Sequence, residues 1–201
     1  MFIDAKMLMK LRKSLSKKRF DHCLKVMETA EELAIIHECD VKKAKIAGLF
    51  HDCAREVPQD HLLKMAEDFG ILLDEIQKRE KVLIHGPLGA AVARKVYGIS
   101  DNDILRAIRL HTTGDKDMEM LDKVIFVSDY IEPTRNFPGI GKIRDMAIEN
   151  LDEALILALD STIKYVIAKG KLLHPKTLNA RNYILLKKES DEEYALRKKN
   201  R

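Results

Sequence analysis

The chain has 201 residues, enough for one domain with a sizeable core, and its composition of 46% hydrophobic and 34% charged residues is typical of a folded soluble protein. Its net charge of +4, from 36 basic and 32 acidic residues, is too small to indicate nucleic-acid binding by itself. The longest apolar run, residues 154–159, is too short for a membrane span, and residues 1–10 do not resemble a signal peptide.

The hydrophobic periodicity predicts an all-α protein, because alternating β-branched segments with hairpin turns do not occur in the sequence. Ser16 and Asp40 are placed to cap the second and third helices. The predicted helices cover residues 7–15, 16–37, 41–55, 58–69, 74–82, 87–97, 101–111 and 121–131, then two helices over 140–169 split near 150–152, and a last one from Pro175. We expect this last helix to fade into a charged, solvated tail at residues 187–201, outside a single domain whose core covers about residues 15–186.

An apolar run in the third predicted helix ends in an adjacent histidine and aspartate, His51 and Asp52. Burying an imidazole and a carboxylate beside an apolar stripe is costly unless a metal ion or a charge partner compensates. Ala47 and Gly48 lie one turn earlier, and their small side chains predict space above the doublet. We infer that a metal ion fills this space.

Other candidate ligands also lie in apolar surroundings on predicted helices or at their ends. The candidate metal ligands are His22, His51, Asp52, His85, His111 and Asp129. Neutral imidazoles and carboxylates form a nitrogen and oxygen ligand set that suits iron, manganese, zinc or cobalt. Six ligands exceed what one catalytic ion with open water positions needs, whereas two ions that share a carboxylate would use them all. Adjacent helical residues point about 100° apart, so Asp52 could bridge two ions while His51 serves one.

The order of these residues resembles the HD-domain metallophosphohydrolases, and within them the YqeK-type symmetrical diadenosine tetraphosphate hydrolases. The resemblance covers roughly residues 15–186. The segments that carry it are Arg19-Phe20-Asp21-His22, Gly48-Leu49-Phe50-His51-Asp52, His85-Gly86-Pro87, His111-Thr112-Thr113-Gly114, Asp129-Tyr130-Ile131-Glu132-Pro133-Thr134-Arg135, Leu173-His174-Pro175 and Ala180-Arg181-Asn182. The resemblance implies an HD-domain helical bundle with a dinuclear metal site.

Laid on this sequence, the family pattern implies that one ion binds His22, His51, Asp52 and Asp129, and that the second shares Asp52 and binds His85 and His111. Iron is favoured, with manganese, cobalt or zinc as alternatives. A water or hydroxide that bridges the ions would attack the central anhydride of diadenosine tetraphosphate or a related dinucleoside polyphosphate. Two nucleoside diphosphates would leave, with His51, Asp52 and Arg135 as catalytic residues.

Further side chains in the same segments are expected to bind substrate phosphates. Arg135 follows Asp129 by six positions and could project over the ions; the alternative is a surface arginine paired with Glu132 or Asp145. The expected substrate-binding residues are Arg19, Arg55, Thr112, Arg135, His174, Arg181 and Asn182. The last three are placed in the site by the resemblance alone.

Two other functions remain open: an HD phosphohydrolase acting on another nucleotide or an alarmone, and a metal-bearing nucleotide sensor with low turnover. The sequence lacks the Gly-Tyr-Pro segment of cyclic-dinucleotide HD enzymes, and its complete ligand set disfavours a sensor. Three cysteines without zinc-finger spacing, Cys23, Cys39 and Cys53, indicate reduced thiols in a cytoplasmic protein. We expect neither nucleic acid nor a membrane as a partner, and a homodimer is left open.

Overall fold

The structure is a computed structural model that describes residues 3–199, with side chains as far as residue 190. These residues form helices and connecting turns without a β-strand, which confirms the predicted all-α class. The helices are α1 (Ala5–Ser14), α2 (Lys17–Ile36), α3 (Val41–Phe50), α4 (Gln59–Asp68), α5 (Glu75–Arg79), α6 (His85–Tyr97), α7 (Asn102–Leu110), α8 (Met120–Ile131), α9 (Ile140–Glu149), α10 (Leu151–Ala168) and α11 (Pro175–Lys199), with a 3₁₀ turn (Lys81–Ile84) before α6. No helix in this part of the chain is both long enough and apolar enough to cross a membrane.

Two predicted caps begin the helices on which the site is built. The Ser16 hydroxyl accepts a hydrogen bond from the Arg19 amide at 3.3 Å. The Asp40 carboxylate accepts one from the Lys43 amide at 3.0 Å. Each cap satisfies an amide that has no partner within its own helix.

Helix α8 is central to the bundle, as its apolar sequence predicts. It packs against α2, α3, α7, α9 and α10, while α6 lies along α7 and α11 lies along α10. Side chains on several of its faces are fully buried, among them Val124, Ile125 and Val127. The mutual packing of α2, α3, α7 and α8 brings together the parts of the chain that carry most of the candidate ligands.

The helix predicted over residues 41–55 is shorter in the structure. It ends at Phe50, so His51 and Asp52 lie in the tight turns that follow. The His51 imidazole explains this end, because its Nδ1–H donates to the Gly48 carbonyl at 2.7 Å, the acceptor that the Asp52 amide would need in a continuing helix. The Cys53 amide instead bonds to the Phe50 carbonyl at 3.1 Å, in a 3₁₀ pattern.

The space predicted above the doublet at Gly48 is filled by protein. A Cβ atom on Gly48 would lie 3.0 Å from the Met27 Cα and 3.1 Å from the Val26 carbonyl oxygen. The inference that Gly48 makes room for a metal ion is therefore wrong. The missing side chain lets α2 and α3 approach closely, which sets the two helices at the spacing that the site uses.

The last helix is longer than predicted. Residues 187–190 are exposed, as expected of a solvated segment, but the backbone of α11 stays helical to Lys199. The segment 187–199 contains neither glycine nor proline and consists mostly of lysine, glutamate, alanine, leucine and arginine, which favour a helix. The predicted frayed end is therefore wrong for this backbone, and residues 200–201 lie outside the described part of the chain.

Candidate metal centre

The six candidate ligands converge from five parts of the chain. They are His22 in α2, His51 and Asp52 after α3, His85 at the start of α6, His111 after α7 and Asp129 in α8. Asp52, His85, His111 and Asp129 line a cavity of about 250 Å³, here called the ligand cavity. The remaining two histidines lie beside them and are buried.

Three of the histidines are oriented by the ends of helical segments. The Nδ1–H of His51 donates to the carbonyl of Gly48 at 2.7 Å, and that of His111 donates to the carbonyl of Ile108 at 2.7 Å. His85 makes the same bond to the carbonyl three residues before it. Carbonyls at a helix end lack partners within the helix, so the imidazole satisfies them. With the proton on Nδ1, each neutral ring presents the lone pair of Nε2, which is the form that binds a metal ion.

His22 is oriented by a carboxylate instead. Its Nδ1 lies 3.1 Å from Oε1 of Glu132, whose side chain is only 1% exposed. Burial alone would raise the pKa of Glu132, but hydrogen bonds from Thr134 and His22 outweigh this and lower it. Glu132 is therefore an ionised acceptor, and His22 must carry its proton on Nδ1. Apart from the alternative pair with Arg135, Glu132 was assigned no role from the sequence; its position one turn after Asp129 was the available signal.

Asp52 lies between two pairs of histidines. Its Oδ2 atom is 3.8 Å from Nε2 of His22 and 3.6 Å from Nε2 of His51. Its Oδ1 atom is 3.2 Å from Nε2 of His85 and 3.6 Å from Nε2 of His111. The two Nε2 atoms of His85 and His111 are themselves 2.9 Å apart. Each carboxylate oxygen therefore faces its own pair of ring nitrogens.

Burial and the neighbouring charges set the protonation states of Asp52 and the histidines around it. It lowers the pKa of His51 to about 4 and lowers that of His85, because an imidazolium ion is poorly solvated in the interior. Burial alone would raise the pKa of Asp52, but the surrounding imidazoles outweigh it and hold this pKa well below its usual value. At neutral pH His51 and His85 are therefore neutral and Asp52 is ionised, whereas the hydrogen bond with Asp52 outweighs burial and raises the pKa of His111.

Several of these ligand atoms have no satisfactory partner within the protein. Nε2 of His22, Nε2 of His51 and Oδ1 of Asp52 are buried and accept or donate no hydrogen bond among the described residues. Nε2 of His22 also lies 3.1 Å from Oδ1 of Asp129. In the neutral ring both of these atoms are acceptors, so they repel each other unless a cation lies between them.

A divalent ion fits these atoms. In two overlapping groups of three residues, one ligand atom from each residue lies within 4.8 Å of the ligand atoms of the other two. His22, His51 and Asp129 form one group, and His51, Asp52 and His111 form the other. Both offer nitrogen and oxygen donors of the kind that transition metals bind. The chain therefore contains histidine and aspartate groups that could hold a metal ion.

Two of the predicted substrate-binding arginines pair with the ligand carboxylates. Nη1 of Arg19 lies 2.7 Å from Oδ2 of Asp52, and Nη2 of Arg135 lies 2.6 Å from Oδ1 of Asp129. Both arginines line the ligand cavity. Arg135 also lies 3.8 Å from Glu132, the partner in the surface-pair alternative, but its closest ion pair is with Asp129 and it lines the ligand cavity, which favours its placement at the site.

Arg55 and Thr112 also line the ligand cavity, as predicted. Arg55 makes no ion pair with any described residue, and Oγ1 of Thr112 is buried without a hydrogen-bond partner. Other lining residues were not singled out from the sequence: Val82, Leu83, Phe126, Tyr130 and Thr162. Only the position of Tyr130 beside Asp129 could have indicated one of them.

The three residues expected from the C-terminal part of the chain do not reach the ligand cavity. Nε2 of His174 donates to Oδ2 of Asp74 at 2.8 Å, while Arg181 pairs with Asp160. Asn182 is exposed. None of the three lines the cavity. Their positions give no support to a contact with substrate, which stays a prediction.

Arg144 in α9 holds the segment that follows α8. Its Nε donates to the Ile131 carbonyl, and its Nη2 donates to the carbonyls of Glu132 and Arg135, each at 2.9 Å. One guanidinium group thus fixes the backbone that carries both Glu132 and Arg135. Nothing in the sequence singled out Arg144, because it lies outside the segments that resemble the family.

Alignments with known proteins span all six candidate metal ligands. Residues 19–134 match the HD domain family model. A protein from Halalkalibacterium halodurans named "Bis(5'-nucleosyl)-tetraphosphatase, symmetrical" is 38% identical over 92% of this chain and 98% of its own. A Bacillus subtilis protein of the same name is 37% identical over 87% of this chain and 94% of its own. A crystal structure from Clostridium acetobutylicum, described as a predicted HD superfamily hydrolase involved in NAD metabolism, matches 93% of this chain and all of its own with a TM-score of 0.89 and 41% identity.

Proposed function

This chain belongs to the HD domain family, and on that premise we propose that it hydrolyses diadenosine tetraphosphate and related dinucleoside polyphosphates symmetrically to two nucleoside diphosphates. The two relatives named symmetrical tetraphosphatases support both the substrate and the position of cleavage, because the similarity extends over nearly their full lengths. The observation that carries the chemistry is the position of Asp52 between two histidine pairs.

We assign the six ligands to two divalent transition-metal ions. One would bind His22, His51, Asp52 and Asp129, and the other would bind Asp52, His85 and His111. The separate histidine pairs at Oδ1 and Oδ2 of Asp52 support a carboxylate that bridges the two ions. Iron is our first expectation, with manganese, cobalt or zinc as alternatives, since each accepts imidazole and carboxylate ligands.

The ions, when bound, would supply an activated water and neutralise charge on the phosphoryl group. The protein would supply phosphate-binding cations. Arg19 and Arg135 pair with carboxylate oxygens that serve as ligands in this assignment. If those oxygens held the ions, both guanidinium groups would be available for phosphate oxygens, beside the unpaired Arg55. A nucleoside diphosphate is a stable leaving group, so no strong general acid is needed.

The test is to incubate the protein, purified without chelator, with diadenosine tetraphosphate and to separate the products. We expect ADP as the sole nucleotide product, loss of activity in chelator and about two transition-metal ions per chain by elemental analysis. Equal amounts of AMP and ATP would contradict symmetrical cleavage. Less than about half an ion per chain, with activity that resists chelator, would contradict the metal assignment.

One observation favours a second substrate class. The Clostridium acetobutylicum protein is described as involved in NAD metabolism, so another nucleotide is the competing substrate. NAD and an alarmone should therefore be assayed beside diadenosine tetraphosphate at equal concentration. A higher kcat/KM for either one would replace the substrate that we propose, and binding without turnover of any of them would indicate a sensor.

A further inference from the structure

A second cavity, of about 380 Å³, adjoins the ligand cavity. It lies between the α4–α5 connection, the first turn of α6, the end of α7 and the start of α11. Ile71, Leu72 and Pro87 form its apolar wall, and Arg109 and Lys176 are its cationic side chains. None of these five residues has a role in the metal centre.

Thr112 lines both cavities, so it marks the place where they meet. Its Oγ1 atom is buried and has no hydrogen-bond partner among the described residues, which leaves it available to a ligand at the junction. A Cβ atom on Gly86 would lie 3.0 Å from that oxygen and 2.8 Å from the Arg109 carbonyl oxygen, so glycine is what permits this packing. On either side of Gly86, His85 lines the ligand cavity and Pro87 lines the second cavity.

The size of the proposed substrate requires such an extension. The ligand cavity, at about 250 Å³, is smaller than the roughly 300–1,000 Å³ of pockets that enclose a drug-sized ligand. A dinucleoside tetraphosphate is larger than such a ligand, and cleavage at its centre places an equal half on each side of the ions. One half must therefore extend beyond the ligand cavity, and the second cavity adjoins it at Thr112.

The chemistry of the second cavity suits a nucleoside with its phosphate. Leu72 is 97% exposed, so its apolar surface is free to pack against a base. Arg109 is exposed and makes no ion pair with a described residue, so it can meet a phosphate oxygen without breaking a contact. The wall itself is fixed, because Asp74 caps α5 and accepts a hydrogen bond from His174 at 2.8 Å.

We propose that the second cavity binds one nucleoside of the dinucleoside tetraphosphate, with Leu72 against the base, Arg109 at a phosphate and Thr112 at the junction. The assignment rests on the proposed function. It gives His174 a role as a positioning residue, since His174 holds the wall through Asp74 rather than touching the reacting phosphates.

Kinetics of the holoenzyme give the first test. We expect Leu72→Ser to raise the KM for diadenosine tetraphosphate about tenfold with little change in kcat, because part of a leucine's apolar contact is lost. Leu72→Phe should keep the wild-type KM. Leu186→Ser is the matched control, since Leu186 is an exposed leucine on α11 that lines neither cavity, and it should leave both constants unchanged.

A binding test does not depend on turnover. A diadenosine tetraphosphate analogue, with methylene in place of the central bridging oxygen, should shield the Leu72→Cys thiol from alkylation. The same analogue should not shield the Leu186→Cys thiol. Equal alkylation with and without this analogue, while it still competes with substrate, would overturn the assignment and leave the proposed function standing. A wild-type enzyme that does not cleave diadenosine tetraphosphate would overturn both.

Discussion

Replacing Glu132 with glutamine tests whether this carboxylate sets the tautomer of His22. Oε1 of Glu132 accepts from Nδ1 of His22 at 3.1 Å, and Oε2 accepts from the Thr134 amide at 2.7 Å. Both oxygens face an N–H group, but glutamine offers only one oxygen. If its amide nitrogen faces His22, Nδ1 must become an acceptor, and the proton moves to Nε2, which can then no longer bind a metal ion.

The other orientation is also unfavourable. With the glutamine nitrogen toward Thr134, it faces the Thr134 amide, so two donors face each other beside a side chain that is only 1% exposed. A buried donor without an acceptor costs about 1–3 kcal/mol. Loss of a group that orients a ligand typically lowers metal affinity by about 10- to 100-fold. We therefore expect Glu132→Gln to weaken one of the two proposed metal sites by that factor, with activity recovering at excess metal.

The assay is a metal titration of chelator-stripped protein against a competing chelator, followed by activity as a function of Mn²⁺ concentration. Asp74→Asn is the matched control, because it removes the carboxylate that pairs with another buried histidine, His174, away from the proposed ligands. We expect the control to keep wild-type metal affinity. If Glu132→Gln also keeps it, with an unchanged half-saturating Mn²⁺ concentration, then Glu132 does not orient a ligand and the tautomer argument fails.

Three further predictions concern the ligands and the residues around them. Asp52→Ala should reduce metal content to about one ion or fewer and lower kcat by at least ~10³-fold, with unchanged helicity by circular dichroism. A folded variant that keeps both ions and normal turnover would show that the His51-Asp52 doublet is structural. Arg144→Ala should lower kcat/KM about tenfold through loss of a positioned Arg135, whereas Lys142→Ala on the same helix should leave kcat/KM unchanged. Arg181→Ala should change kcat/KM less than about threefold, because this half-buried arginine pairs with an aspartate of α10. A tenfold loss of kcat/KM would instead support the predicted contact between Arg181 and a substrate phosphate.

The features that could be predicted from the sequence are those that depend on neighbouring residues. Ser16 and Asp40 cap their helices because a side chain and an amide three positions later are enough to make the contact. The apolar character of residues 121–131 indicated a central helix for the same reason, since burial on several faces requires apolar residues throughout.

The features that were missed depend on residues far apart in the chain. Gly48 faces the backbone of another helix, which periodicity cannot reveal, so its small size was attributed to a metal ion. The role of Glu132 depends on a contact with a histidine 110 positions away. The end of α3 is the exception, because His51 sets it through a carbonyl only three residues earlier, a contact that hydrophobic periodicity does not register. Arg181 was placed by resemblance alone, which did not indicate its partner Asp160.

The ion pairs of Arg19 with Asp52 and of Arg135 with Asp129 bear on the order in which the enzyme assembles. Each guanidinium group supplies positive charge beside a carboxylate of the ligand cavity. Together with imidazoles held by helix-end carbonyls, these pairs would let the chain fold before it acquires metal. In the proposed centre, loading would then exchange arginine for metal at the two aspartates. The ions found in the mature protein would accordingly reflect the metals available around it after folding.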